Sequence, residues 1–276
     1  MIGSVPVFSF VRNDFTMLKR RICMFNDWFS IGPVTIHGYG VMIAVGILAA
    51  VFFAEKQCKD HGLDADKIDG LALTAVIIGY IFSKLTYILT VFDQFLADPL
   101  SVLGSSGWVV YGGIIGGLFG AWLYCKIRKM DFMTYLNVCI PVLALAQGFG
   151  RIGCFLAGCC YGMPTHGALG VTFPEGSLCP IHEPVIPTQL ISSFGDFVLF
   201  IILYKMTKSD TYRSKTGSMY LILYSAGRFM IEFLRGDVIR GSVGPLSTSQ
   251  FIAIFVFIAG IILYFMPNKK KESLTL

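Results

Sequence analysis

The stretch Leu136-Asn-Val-Cys-Ile-Pro141-Val-Leu-Ala-Leu-Ala-Gln147-Gly-Phe-Gly150-Arg151-Ile-Gly153-Cys154-Phe-Leu156 decides how the chain is read. A bilayer span takes about 20 mainly apolar residues, and this run meets that length with one charged residue, Arg151. Lipid offers the backbone no hydrogen-bond partners, so such a segment is a helix. A cation at membrane depth costs roughly 2.5–3.5 kcal/mol on insertion scales and is retained for a pathway, a partner or an anionic ligand. Arg151 is therefore the first functional candidate.

Six further stretches have the same character: Ile36–Ala54, Leu71–Val91, Trp108–Cys125, Pro187–Tyr204, Gly217–Leu234 and Ser249–Met266. With 55% hydrophobic and only 14% charged residues in 276, and a mean hydropathy of +0.69, the chain reads as an all-α polytopic membrane protein with seven transmembrane helices. No length remains for a sizeable soluble domain. The net charge of +5 does not imply nucleic acid, because Lys and Arg concentrate in particular loops. Lys56, Lys59 and Lys67 follow the first span, Lys126, Arg128 and Lys129 the third, Lys205, Lys208, Arg213 and Lys215 the fifth, and Lys269–Lys271 the last. The loops after the second and fourth spans hold none. The positive-inside rule then puts the N-terminus outside and the C-terminus in the cytoplasm.

Arg12, Lys19, Arg20 and Arg21 run against that orientation. Residues 1–23 are accordingly expected to be an N-terminal extension, lying on the interface or not translated because the start is Met24, ahead of a seven-helix transmembrane domain over 24–276. N-terminal sequencing of the native protein separates the two. No cleavable signal with a small-residue site is seen.

This topology brings the unusual residues to one side of the membrane. His37 and Tyr39 open the first span, Lys84 lies in the outward half of the second, and Trp108 and Tyr111 open the third. Arg151 closes the fourth, Pro187, Thr188 and Gln189 open the fifth, and Arg228, Glu232 and Arg235 close the sixth. Arg228, Glu232 and Arg235 are spaced to share a helical face. One glutamate cannot neutralise that many guanidinium groups, and surplus fixed cations suit a phosphate, which arginine grips in bidentate fashion. Asp196 reads as a helix–helix hydrogen-bonding partner.

Gly148 to Gly153 match a dinucleotide fingerprint, but that motif needs a strand before it and a helix opening after it. Here the run ends a span, and its glycines serve close packing or an unwound cavity wall. Gly112, Gly113, Gly116, Gly117 and Gly120 form overlapping small-xxx-small pairs suited to tight helix packing. Cys154, Cys159, Cys160 and Cys179 gather near the end of the fourth span with His166 and His182. There is no C-x-x-C, adjacent cysteines sit poorly around one tetrahedral zinc, and no metal or cofactor is expected.

The order of motifs resembles the prolipoprotein diacylglyceryl transferase family. The matching pieces are His37-Gly38-Tyr39-Gly40, Gly112-Gly113 with Gly116, Gly150-Arg151-Ile152-Gly153 through Gly158 and Gly162 in the fourth span, Pro187-Thr188-Gln189-Leu190, and Gly227-Arg228-Phe229 with Glu232, Phe233 and Arg235. The chain departs from the family pattern at Tyr111, where histidine is usual, and at Cys154, where asparagine is. Cys159 and Ser192 stand where acidic residues are usual, and Lys84 where arginine is. The resemblance implies a seven-helix enzyme of the bacterial plasma (inner) membrane, with its active site toward the outer leaflet. It would move the diacylglyceryl group of phosphatidylglycerol to the lipobox cysteine of prolipoproteins.

It further implies Arg151, Arg228, Glu232, Tyr39 and Tyr111 as catalytic, with Glu232, His37 and Tyr111 as alternatives for the thiol base. Substrate binding falls to His37, Lys84, Gly112, Gly113, Gln147, Gly150, Gly153, Cys154, Gly158, Gly162, Gln189 and Arg235. The alternatives are a membrane thiol oxidoreductase using Cys154, Cys159, Cys160 and Cys179, or a paralogue of the same fold with another acceptor. A transporter would need a polar path through both leaflets, and the inner halves of the spans offer little beyond Asn137.

Overall fold

Hydropathy marks where a chain meets lipid, and the helices of the computed structural model follow it closely, with ends that overrun its edges in places and fall short of them in others. Residues 26–31, 34–105, 107–237 and 241–266 are described; the expected extension over 1–23 and the basic tail Lys269–Lys271 lie outside them. A short hairpin pairs β1 (Asp27–Ile31) with β2 (Val34–His37). It leads into α1 (Gly38–Asp60). Then come a 3-10 turn (Ala65–Lys67), α2 (Ile68–Thr90), short α3 (Phe92–Ala97), short α4 (Pro99–Gly104), α5 (Val110–Ile127) and α6 (Phe132–Ala157). After a long connection follow α7 (Thr188–Thr207), a second 3-10 turn (Arg213–Lys215) and α8 (Thr216–Glu232). The two-residue strands β3 (Ser242–Val243) and β4 (Leu246–Ser247) precede α9 (Thr248–Phe265).

Among the described residues six helical segments are long and apolar enough to cross a membrane: Gly38–Asp60, Ala65–Thr90, Val110–Ile127, Phe132–Ala157, Thr188–Thr207 and Thr248–Phe265. Their outward faces are apolar; Leu89 is 72% and Phe194 71% exposed. Apolar surface on that scale is covered by lipid in a stable protein. The chain is thus a helical polytopic membrane protein. The expected sixth span is α8, at 17 residues. At 1.5 Å per residue it reaches about 26 Å, just short of the roughly 30 Å hydrocarbon core.

Local chemistry sets the helix ends. The first helix starts after His37, which belongs to β2 rather than opening the span. It runs six residues beyond the expected Ala54, where Glu55 and Lys59 pair at i, i+4 with 4.0 Å between charges. Asp131 caps α6 by accepting from the Thr134 N–H at 3.0 Å. A capping box between Ser247 and Gln250 opens α9.

The chain divides into two compact units: the described residues of Met1–Ala50 with Ile140–Leu276, and Val51–Cys139. In the second, α2 packs on α5 through bare backbone. A Cβ on Gly112 would lie 2.7 Å from the Phe82 carbonyl oxygen, and one on Gly79 3.0 Å from that of Gly113. Lys84, buried within this unit, donates from Nζ to the Ser105 carbonyl at 2.8 Å and lies over the Trp108 ring at 4.6 Å. Its ammonium thereby ties α2 to the α4–α5 connection. Tyr111 stands half-exposed at the start of α5. In the first unit α8 packs on both α7 and α9, around Ala144, Leu199 and Leu203.

Replacing Gly112 or Gly116 by Ala should overpack the α2–α5 contact and cost about 1–3 kcal/mol. It should lower the thermal midpoint in detergent. Gly117→Ala, whose new methyl would meet only the Ala75 carbonyl at 3.6 Å, should be neutral or slightly stabilising. Equal midpoints for all three variants would show that this interface does not need bare backbone.

Candidate active site

The first unit gathers its polar side chains where α6 and α8 end and α7 and α9 begin. Arg151 projects from the last two turns of α6, and Arg228 from the last turn of α8. Thr188, Gln189 and Ser192 come from the first turns of α7. Together with Cys160, Ile231 and Arg235 these residues line one small cavity. Among the described residues no carboxylate is in its wall.

The three arginines are held differently. Arg228 pairs with Glu232 at 2.6 Å, the glutamate side chain being only 2% exposed, and donates to Ser249 Oγ on α9 at 2.8 Å. Arg235 does not continue the helical face expected for it, because α8 ends at Glu232. It lies in a bridge with Gly162, and its guanidinium grips Asp237 in bidentate fashion, Nε donating at 2.9 Å. Arg151 is partly buried, within electrostatic reach of Asp196, Tyr224, Cys154 and Cys160. It makes no hydrogen bond or ion pair among the described residues. A guanidinium held out of water without a partner is costly.

Backbone contacts explain how the connection after α6 reaches the cavity. Gly158 (φ 76°) and Cys160 (φ 62°) take left-handed conformations, which turn the chain back. Gly158 and Gly162 therefore lie beyond the fourth helix, not within it. At Gly162 a Cβ would sit 2.6 Å from the Ile186 carbonyl oxygen and 2.8 Å from that of Leu234. The Met163 N–H donates to Leu234 at 2.9 Å and the Gly236 N–H to Tyr161 at 3.1 Å. Phe173, Cys179 and Val185 pack beneath with Tyr161.

Two side chains of α7 fix the turn itself. Thr188 Oγ1 donates to the Cys160 carbonyl and Gln189 Nε2 to the Cys159 carbonyl, both at 2.7 Å. Gln189 is 1% exposed, and its Oε1 accepts from nothing. The Sγ atoms of Cys154, Cys159 and Cys160 lie within 4.8 Å of one another. Hydrogen bonds from the Cys154 and Cys159 thiols, then the charges of Arg235 and Arg151, hold the Cys160 thiol well below its ordinary range against the effect of burial. Cys159 is pushed up by the same shared hydrogen bonds.

The other expected site residues have definite places. Tyr39 packs on Gly153, where a Cβ would meet its ring at 3.1 Å, and lies within electrostatic reach of Cys154 and Arg151. Gly150 borders open space. His37 Nδ1 meets Asp27 at 2.6 Å in the exposed hairpin. Gln147 accepts from the Tyr220 hydroxyl at 2.9 Å, and Tyr220 stacks on Tyr224. Lys84, Tyr111, Gly112 and Gly113 belong to the second unit. From sequence, Cys160 entered only through the thiol-oxidoreductase alternative, Thr188 only as a polar residue opening the fifth span and Ser192 only as a departure from the family pattern; Ser249 was noted only as the start of the last span.

A polytopic helical protein with a cationic cavity at one end of its helices is the class that fold and site define. Residues 26–266 match the prolipoprotein diacylglyceryl transferase family, and the chain belongs to that family. It is 43% identical over 246 residues to a phosphatidylglycerol–prolipoprotein diacylglyceryl transferase of Clostridium tetani (strain Massachusetts / E88), covering 88% of this chain and 98% of that protein. It is 45% identical over 242 residues to a second such transferase of Clostridium perfringens (strain 13 / Type A), covering 87% and 94%. A Clostridioides difficile (strain 630) enzyme of the same name is 30% identical over 247 residues, covering 89% and 96%.

Removing one partner of the buried Arg228–Glu232 pair should be far worse than removing both. Glu232→Ala should cost about 3–5 kcal/mol, whereas Arg228→Met with Glu232→Leu should recover most of the loss. Thermal unfolding in detergent measures both, and a double variant as unstable as the single one would mean that the ion pair is not what Glu232 supports.

Proposed function

We propose that this chain transfers the diacylglyceryl group of phosphatidylglycerol to the lipobox cysteine thiol of prolipoproteins, at the cavity around Arg151. The names of its relatives supply the reaction class. The observation that carries the site is the partnerless guanidinium of Arg151 beside Arg228 and Arg235. A phosphate diester would supply the missing acceptor oxygens.

In the reaction the acceptor sulfur loses its proton and attacks the glycerol carbon that bears the phosphate. The carbon–oxygen bond breaks, and glycerol phosphate leaves with the electron pair. Charge on the phosphate oxygens rises as the bond breaks, so fixed donors there stabilise the transition state more than the bound lipid. Arg151 and Arg228 take that role, and Arg235 holds the headgroup. The unused Oε1 of Gln189 suits a hydroxyl of the headgroup glycerol, which is a donor. Glu232 orients Arg228, and Tyr39 borders the acceptor side.

The ends of α6 and α8 and the starts of α7 and α9 share the site, and the basic Lys205–Lys215 connection joins the other ends of α7 and α8. Positive-inside asymmetry therefore supports a site toward the outer leaflet of a bacterial plasma membrane. In this reading α8 is a seventh, short span, the N-terminus is outside and the C-terminus cytoplasmic. An open groove of about 550 Å³ beside the cavity, bordered by Met163, Phe233, Arg235 and Leu246, would receive the lipobox segment.

Arg151→Ala should reduce transfer by about 100-fold or more while leaving membrane insertion intact. The assay follows phosphatidylglycerol and a lipobox peptide to a mass gain of one diacylglyceryl group, with release of glycerol phosphate. Near-normal transfer by this variant would remove the role given to Arg151. Gln189→Met, which removes the Nε2 bond to the Cys159 carbonyl as well as the open Oε1, should lower transfer from phosphatidylglycerol about tenfold or more, and an unchanged KM and kcat would dismiss that contact.

A further inference from the structure

We infer that Cys154, Cys159 and Cys160 form a zinc site whose fourth ligand is the acceptor thiol, an inference that rests on the transferase reading above. Sequence adjacency argued against three such cysteines sharing an ion. The backbone removes the objection: left-handed conformations at Gly158 and Cys160 fold the turn back against the last turn of α6. All three are free, half-buried thiols with Sγ atoms within 4.8 Å of one another. Zinc–sulfur bonds of about 2.3 Å set tetrahedral sulfur–sulfur edges of about 3.8 Å, which side-chain rotation alone can reach from that spacing.

The turn is also fixed from behind. The carbonyls of Cys159 and Cys160 accept from Gln189 and Thr188 at 2.7 Å, an outer layer of hydrogen bonds of the kind that holds metal ligands in place. Closed structural zinc sites have four protein ligands, whereas three leave a position for substrate. Among the described residues no fourth His, Cys, Asp or Glu joins this group. Cys160 lines the cavity that holds Arg151, so one of the three ligands stands at the cavity wall.

The chemistry of the reaction asks for such an ion. The sulfur must attack carbon as a thiolate, yet among the described residues the cavity wall contains no carboxylate or histidine to take its proton. Glu232 is engaged by Arg228, and Asp237 by Arg235. A thiol that coordinates zinc is deprotonated outright. The acceptor proton passes to water as the zinc–sulfur bond forms. The sulfur lone pair then makes the carbon–sulfur bond, the carbon–oxygen bond breaks with its pair going to phosphate, and the thioether leaves the metal. Zinc keeps its oxidation state throughout.

The full-length protein, purified in detergent with neither chelator nor added metal, should contain stoichiometric zinc. The C154S/C159S/C160S variant should contain only background. Protein stripped by chelator and reloaded with Co²⁺ should show thiolate-to-cobalt charge-transfer absorption, weaker in C159S, and a cysteine-containing lipobox peptide should alter it where the serine peptide does not. Stripped protein should lose at least tenfold in transfer and regain it with Zn²⁺. Zinc-free wild-type protein that shows no thiolate–cobalt absorption overturns the site, and a spectrum indifferent to the cysteine peptide overturns the acceptor role. Full transfer by stripped protein overturns its part in the reaction. The metal and spectral readouts do not depend on turnover, so absence of transfer from phosphatidylglycerol in every loaded form would instead tell against the transferase reading.

Discussion

One guanidinium, that of Arg151, has no hydrogen bond or ion pair among the described residues, and the rest of the site is built around it. A helix as apolar as α6 accepts a cation near its end only if something offsets the desolvation. The neighbouring arginines do not compete for that role, because each carries its own carboxylate: Glu232 for Arg228 and Asp237 for Arg235. The cavity thus holds three guanidinium groups, of which two are ion-paired and the third has Asp196 only within electrostatic reach. In the proposed reading a phosphodiester, with one negative charge, would give Arg151 its missing acceptors without breaking either pair.

Holding three arginines at one cavity from separate elements depends on backbone contact. The segment after α6 passes between the Ile186 and Leu234 carbonyls at Gly162, where any side chain would force it away. That passage sets Arg235, next after Leu234, opposite Gly162 and so at the cavity. The same logic operates where Gly153 meets Tyr39. Glycines that read as packing residues in the sequence therefore act here by bringing functional groups within reach.

The spans were legible because lipid imposes a length and a composition that local sequence must satisfy by itself. Their ends were less so, since hydropathy records the edge of the hydrocarbon rather than the last hydrogen bond. Thus α1 continues through Glu55 and Lys59, and α8 stops before Phe233. The arginines, Gln189 and Glu232 were legible as polar residues where none is expected. The partners of Arg235 were not, because helical spacing presumes that the helix continues, and its end is set by pairing with a segment some 70 residues earlier. The convergence of three thiols was hidden for a related reason: nothing in Cys159-Cys160 announces that the second takes a left-handed conformation rare for a side chain with a Cβ.

Seen as charge movement, the proposed reaction is a transfer of one negative charge from sulfur to phosphate. Thiolate and phosphodiester each begin with one; thioether and phosphomonoester end with none and two. A site that only attracted anions would bind both reactants well and gain nothing as the charge moved, since uniform binding does not raise the rate of the chemical step. The useful arrangement is asymmetric, with stabilisation that weakens at sulfur and strengthens at oxygen. Arg151 is within electrostatic reach of Cys154 and Cys160 and shares its cavity with Arg228 and Arg235. As charge leaves the sulfur and builds on the phosphate, the two paired arginines can loosen from Glu232 and Asp237 toward the stronger anion. Those carboxylates therefore keep the arginines neutralised at rest and leave their full charge for the leaving group.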